Sequence, residues 1–143
     1  MIDLNELWKD GKIMPVITVE SSTGRVLLHG YMNKTAFAYT LKTGKVWYLD
    51  PKSGEVKKWG EHAGNVQKLI SIKADDELES LLIKVEQVGH VCHKGTERHK
   101  TCFINDIYTR HKGSVSKHRK FGKVEVDENF DYSKEDYEEE FEN

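Results

Sequence analysis

The sequence predicts a strand-rich α+β domain with two short helices. Three observations lead there. Short runs of β-branched and aromatic residues recur along the chain, cut off from one another by turns bearing Gly, Pro, Asn and Asp. Only two stretches combine helical spacing with helix-forming residues. And 143 residues with 37% hydrophobic content suffice for one core and little more.

Taken in order, Asp3 to Lys9 sets Leu4, Leu7 and Trp8 on one helical face. Met14–Glu20 is a strand of β-branched residues, Ser21 to Gly24 has turn chemistry, and Arg25–Tyr31 is the returning arm of a hairpin. Asn33 has the chemistry of an N-cap for a helix running through Lys42, with Gly44 as its stop. Val46–Leu49 and Val56–Trp59 read as strands around a turn at Asp50-Pro-Lys-Ser-Gly54. Gly60 to Gly64 is a loop. Val66–Ile72 and Leu81–Val88 are two further strands separated by the acidic Asp75 to Glu79, and a last strand is expected at Cys102–Tyr108. No internal repeat is visible. The expected organisation is a domain over residues 1–110 and a flexible extension over residues 111–143, basic and then acidic.

Composition excludes several classes. No apolar stretch approaches the length of a membrane-spanning helix, and Met1-Ile-Asp-Leu-Asn-Glu6 lacks the basic-then-apolar profile of a signal peptide. A cytoplasmic protein is expected. Aromatic content of 10% argues against disorder over the whole length. The net charge of −2 hides an asymmetry: residues 125–143 hold ten acidic groups and one lysine. The remainder is therefore net basic, with a cluster at Arg110, Lys112, Lys117, Arg119, Lys120 and Lys123. A positive body suits a phosphorylated substrate or nucleic acid; equally, the tail and the basic cluster neutralise one another.

Two constellations carry chemistry. In Gly89-His-Val-Cys-His-Lys-Gly95 and Thr101-Cys-Phe103, the residues Cys92, His93 and Cys102, with His90 and His99 nearby, are ligands suited to Zn²⁺. The Cys-x9-Cys spacing is not that of a zinc ribbon, and the other reading is two cysteines packed as small apolar groups beside surface histidines. The second is Asp75-Asp-Glu-Leu-Glu79. In extended chain Asp75, Glu77 and Glu79 face one side and Asp76 the other, which either holds a hard cation such as Mg²⁺ or is an ordinary acidic turn.

In chain order, Ile13-Met-Pro-Val-Ile17, Thr23-Gly-x-Val-Leu27 and Gly30-Tyr-Met-Asn33 are followed by Trp59-Gly-Glu-x-x-Gly-Asn-Val-Gln67. Leu81-Leu-x-Lys-Val-Glu-Gln87, Cys92-His-x-Gly95 and Cys102-Phe103 complete the series. With these, the chain from about Gly11 to Tyr108 resembles the phosphoribosyl-AMP cyclohydrolases, histidine-biosynthesis enzymes that open the adenine ring of phosphoribosyl-AMP. The resemblance implies a cyclohydrolase-like domain of pseudobarrel type in an intertwined homodimer, with a zinc site shared between chains. Cys92 and Cys102 take two zinc positions. The third falls on Asp76, where the family has cysteine, and the family's magnesium aspartates fall on Asp75, Glu77 and Glu79. His90, His93 and His99 are alternative zinc ligands on a stretch three residues longer than the family's. The substrate-contacting loop implies roles for Glu61, His62, Gly64 and Asn65, although its family form Gly-Glu-Thr-Ser-Gly is here Gly60-Glu-His-Ala-Gly64. The run after Tyr48 departs as well, reading Asp50-Pro-Lys-Ser53.

The implied reaction is hydrolysis: water activated by zinc adds to C6 of the purine and the N1–C6 bond opens. His93 is the candidate proton carrier, and Mg²⁺ would neutralise substrate phosphate. Two other functions stay open. One is a paralogue acting on another purine nucleotide, as cyclohydrolase or deaminase; the altered 60–64 loop favours it. The other is a non-catalytic nucleotide- or nucleic-acid-binding protein, which the basic cluster favours and its lack of aromatics other than Phe121 weakens.

Overall fold

A computed structural model describes residues 2–61, 64–91, 100–110 and 129. The chain divides into two units, Met1–Ile104 and Asn105–Asn143, and the elements below all belong to the first.

Asp3 caps a single turn of helix, α1 (Leu4–Leu7), its carboxylate accepting the Asn5 N–H at 2.9 Å. The helix is shorter than expected. Leu7 and Trp8 are buried while Leu4 is exposed, because one turn cannot bury three positions of a helical face. Strands β1 (Met14–Glu20) and β2 (Val26–Met32) then form the expected hairpin. Asn33 and Gly44 bound α2 (Lys34–Thr43) as read from the sequence; the Asn33 side chain accepts the Ala36 N–H at 2.9 Å. A small hairpin, β3 (Trp47–Leu49) with β4 (Val56–Lys58), is followed by β5 (Gln67–Ala74) and β6 (Leu81–Gln87).

The main sheet runs β2-β1-β6-β5. It is mixed: β1 lies antiparallel to β2 and parallel to β6, while β5 and β6 form an antiparallel hairpin. Alternation explains the burial. Met14, Val16 and Thr18 of β1 and Leu81, Ile83 and Val85 of β6 point inward and are essentially inaccessible, while Ile17 and Leu82 face the other way. Ala36 and Phe37 of α2, with Val46 and Tyr48 from the second hairpin, cover that inner face. Val46 stitches the two sheets, donating to Gln67 O and accepting from the Trp59 N–H, each at 3.0 Å.

Two expectations are corrected. Residues 75–80 are not extended: they form the turn between β5 and β6, with Leu78 at φ 57°. The Asp75 Oδ1 accepts the N–H groups of Glu79 at 2.6 Å and Ser80 at 3.2 Å, and Lys12 Nζ donates to Leu78 O. Asp75, Glu77 and Glu79 therefore do not alternate along one strand face. Nor is there a strand over 102–108. The Cys102 N–H donates to Leu27 O at 2.7 Å, but the Ile104 N–H curls back to Cys102 O at 3.1 Å. A tight turn of that kind ends ladder pairing after one bond, and Phe103, Ile107 and Tyr108 are left exposed.

Candidate active site

A cleft of about 620 Å³ opens between β2, the β3–β4 hairpin, Gly60, Glu61 and Asn65, and the stretch at His90 and Val91 that follows β6. Its apolar wall is Leu28, Tyr48 and Trp59, the two rings meeting edge to face at 5.5 Å and 77°. Tyr48 lies close over Gly30, where an added Cβ would come within 2.7 Å of the ring. Burial pushes the Tyr48 phenol up, well above its ordinary range, and the nearby Cys102 adds to that; the hydrogen bond with Thr18 opposes them. Polar groups complete the lining: Asp50, Lys57, Lys58 and Glu61, with Asn65 and His90 in the wall. A second, more polar cleft of about 850 Å³ lies beyond that wall, lined by Arg25, Gln87 and Lys100 among others. Asn65 and His90 border both clefts, and the Asn65 Nδ2 lies 3.4 Å from His90 Nε2.

Two glycines make that arrangement possible. Gly60 at φ 73° and Gly89 at φ 68° both occupy the left-handed region. A Cβ at either would fall 2.2 Å from Asn65, at its carbonyl oxygen in the first case and its Oδ1 in the second. Asn65 is thus held between two backbone segments that tolerate no side chain.

The expected site residues divide by place. Glu61 lines the first cleft, Gly64 turns the loop at φ 72° with its N–H on Gly60 O at 2.9 Å, and Asn65 closes it. His90 is in the cleft wall, and Val91, which precedes Cys92, is buried beside it. Cys102 is half-buried against the core. Its backbone is fixed to Leu27, the extra residue of a β-bulge opposite Thr18 and Val19. Thr101 adds a hydroxyl bond to Val26 O at 2.7 Å. His62, Cys92, His93 and His99 lie outside the described residues, as does the basic cluster apart from Arg110.

Asp75, Asp76, Glu77 and Glu79 stand at the opposite end of β6. Val26, Val19 and Lys84 lie abreast across the sheet. Three residues of rise from Lys84 to Leu81, about 10 Å, and two strand spacings, about 9.6 Å, therefore set Leu81 roughly 14 Å from the Val26–Leu27 backbone that anchors Cys102. Metal–ligand bonds are about 2.0–2.3 Å. Within one chain Asp76 and Cys102 cannot meet on one ion, and among the described residues no three His, Cys, Asp or Glu side chains come together to hold a metal. The thiol and carboxylate types fit zinc chemically, but the Cys102 anchor and the acidic turn of one chain stay apart.

Residue types alone do not mark Tyr48, which walls the first cleft, Gln87, which lines the second, or Gln67, which bonds to both. A signal for them existed. Gln87 continues the inward series Leu81, Ile83, Val85, and Gln67 leads Leu69 on the inner face of β5. A glutamine on the apolar face of a strand is held there by partners.

Sequence comparison with known proteins points to one family. The family profile of phosphoribosyl-AMP cyclohydrolase matches residues 28–104, from β2 through the cleft to the Cys102 segment. The phosphoribosyl-AMP cyclohydrolase of Streptococcus mutans serotype c is 39% identical over 109 residues, covering 76% of this chain and 97% of that protein. The chain belongs to the phosphoribosyl-AMP cyclohydrolase family. The cyclohydrolase of Azoarcus sp. (strain BH72) is 40% identical over 103 residues, 71% of this chain and 76% of that one. The histidine biosynthesis bifunctional protein HisIE of Wolinella succinogenes is 36% identical over 100 residues, 70% of this chain and 42% of the longer protein. As a phosphoribosyl-AMP cyclohydrolase family member, the chain is a hydrolase acting on a C–N bond. None of its helices is long and apolar enough to cross a membrane among the described residues.

Proposed function

We propose that the protein hydrolyses the N1–C6 bond of the adenine ring of phosphoribosyl-AMP, with the purine in the 620 Å³ cleft. The observation that carries this is the convergence of Trp59, Gly60, Glu61 and Asn65 from the family segment, with His90 and Val91 from the stretch after β6, on one aromatic-walled cleft. Trp59 and Tyr48 offer flat apolar surface to a purine. Lys57 and Lys58 in the lining draw in a phosphorylated anion. Asn65 has a carboxamide that can both donate to and accept from a base edge. His93, adjacent in sequence to a zinc ligand in this reading, carries the proton to the departing ring nitrogen.

Zinc and magnesium belong to the same reading. Cys92 and Cys102 would hold the zinc together with the partner subunit's Asp76, or with His90 or His99 in its place. Asp75, Glu77 and Glu79 would hold the magnesium. Bound zinc supplies a water acidic enough to act as nucleophile near neutral pH. The roughly 14 Å between Leu81, where the acidic turn ends, and the Val26–Leu27 backbone that anchors Cys102 supports a site shared between copies. So do the size and polarity of the chain, which favour an intertwined homodimer in which the strands stitched through Val46 complete a pseudobarrel.

The test is direct. Zinc-loaded protein is offered phosphoribosyl-AMP, and ring opening is followed by absorbance beside a panel of adenine and guanine nucleotides. Turnover of phosphoribosyl-AMP above the panel is expected. Preference for another nucleotide would favour a paralogue, the reading that the replacement of both loop hydroxyls by His62 and Ala63 supports. Metal analysis should find about one zinc per chain, lost in Cys102→Ser; retention of full stoichiometry in that variant would remove Cys102 from the ligand set.

A further inference from the structure

Four side chains run in series from the core to the cleft wall. Thr18 Oγ1 and Tyr48 Oη are 2.6 Å apart, Tyr48 Oη and Gln67 Oε1 2.6 Å, and Gln67 Nε2 and Gln87 Oε1 2.9 Å. Gln87 Nε2 then reaches Asn65 O and Val88 O, each at 3.1 Å. Thr18 and Gln67 are fully buried. Gln67 and Gln87 are direct cross-strand partners at the open end of the β5–β6 ladder.

The direction of this chain follows from its last link. Asn65 O and Val88 O are backbone carbonyls and can only accept, so the Gln87 nitrogen must face them. Its Oε1 therefore faces Gln67, which must donate through Nε2 and accept through Oε1. Tyr48 has one hydrogen, spent on Gln67, so Thr18 donates to Tyr48. Two backbone carbonyls thus settle both amide orientations and both hydroxyls, a choice that distances alone leave open.

We propose that this one-way hydrogen-bond chain fixes Asn65 in the wall between the two clefts, which makes Gln67 and Gln87 positioning residues for the reaction. Asn65 touches the two glycines that leave it no room, receives the Gln87 amide on its own carbonyl and extends its side chain to His90. A satisfied buried network of this kind has one arrangement and resists rotation of its members. Small displacements of a group that orients substrate are costly in rate. The proposal rests on the reading that the first cleft takes the purine.

The test uses the full-length, zinc-loaded protein. Gln87→Glu keeps the size of the side chain and still accepts from Gln67, but sets an oxygen against Asn65 O and Val88 O where a donor stood. It is expected to lower kcat/KM for opening of phosphoribosyl-AMP on the order of tenfold, at a temperature where circular dichroism shows it folded. The Asn65 side-chain NH2 signal in 15N-resolved NMR spectra is expected to move with it. Gln87→Met, which packs without polar contacts, carries the same expectation where the Glu variant does not fold. An unmoved Asn65 signal overturns the proposal, with or without a loss of rate. So does a moved signal with wild-type kcat/KM. If the Asn65 signal moves but wild-type protein opens no phosphoribosyl-AMP, the substrate reading falls and the anchoring of Asn65 stands.

Discussion

Tyr48 joins stability and site in one side chain. Its ring walls the cleft and its hydroxyl links Thr18 to Gln67. Removing the hydroxyl leaves two buried polar partners short of a bond, so Tyr48→Phe should cost about 1–3 kcal/mol at neutral pH, read from urea unfolding. The pH dependence has a definite sign. Folding raises the phenol's pKa, so the unfolded chain loses this proton first as pH climbs past about 10. The stabilisation is therefore complete below that pH and drains away above it. Wild-type protein should lose stability between pH 9 and 11 more steeply than Tyr48→Phe; parallel slopes would show that the phenol titrates alike in both states. Gly89 is the other sensitive position. Gly89→Ala combines a left-handed backbone, worth about 1–2 kcal/mol, with a methyl group 2.2 Å from Asn65 Oδ1. Both stability and ring opening should fall.

Among the elements, the β5–β6 hairpin has the most exposed device. Its turn is held by the Asp75 carboxylate, whose pKa lies below the ordinary range chiefly because the Glu79 N–H donates to it. A lowered folded pKa means that this stabilisation is present at neutral pH and disappears in acid. Asp75→Asn should flatten the acid limb of the stability profile, followed by fluorescence below pH 5; an unchanged limb would mean the turn does not depend on the charge. The same hairpin shows what the sequence could and could not reveal. β1 was readable to the residue, and α2 from Asn33 to Gly44, because capping and β-branched runs are local codes. The 75–80 turn was not, since alternating acids also fit an extended strand. The supposed strand at 102–108 had suitable residues but no ladder beyond one bond to Leu27. Cys102 and the 60–65 loop were legible as motifs. The Gln67–Gln87 link was not, because it exists only through cross-strand register, which no single segment encodes.

At the scale of the whole molecule, the decisive question is whether one chain suffices. Asp76 lies in the turn before Leu81, and Leu81 is roughly 14 Å from the Val26–Leu27 backbone that anchors Cys102, so a shared site predicts complementation. Asp76→Ala and Cys102→Ser should each be nearly inactive. Refolded together in equal amounts, they form mixed dimers with one intact site, and about a quarter of the wild-type rate should return. Activity that stays absent in the mixture would mean the two residues do not complete one site between two chains. Removing residues 126–143 strips nine carboxylates and one lysine, turns the net charge positive and, on the proposed reading of a homodimeric hydrolase, should leave both oligomeric state and rate unchanged. The parallel pairing of β1 with β6 has a consequence of another kind. Val16 meets Leu81, sixty-five residues later in the chain. A ribosome adding about 5–20 residues per second needs roughly 3–13 s to make that stretch. For those seconds the N-terminal hairpin trails from the ribosome with an apolar strand edge bare, open to the same hairpin on the next nascent chain. How closely ribosomes follow one another along the message thus bears on how much of the protein emerges soluble.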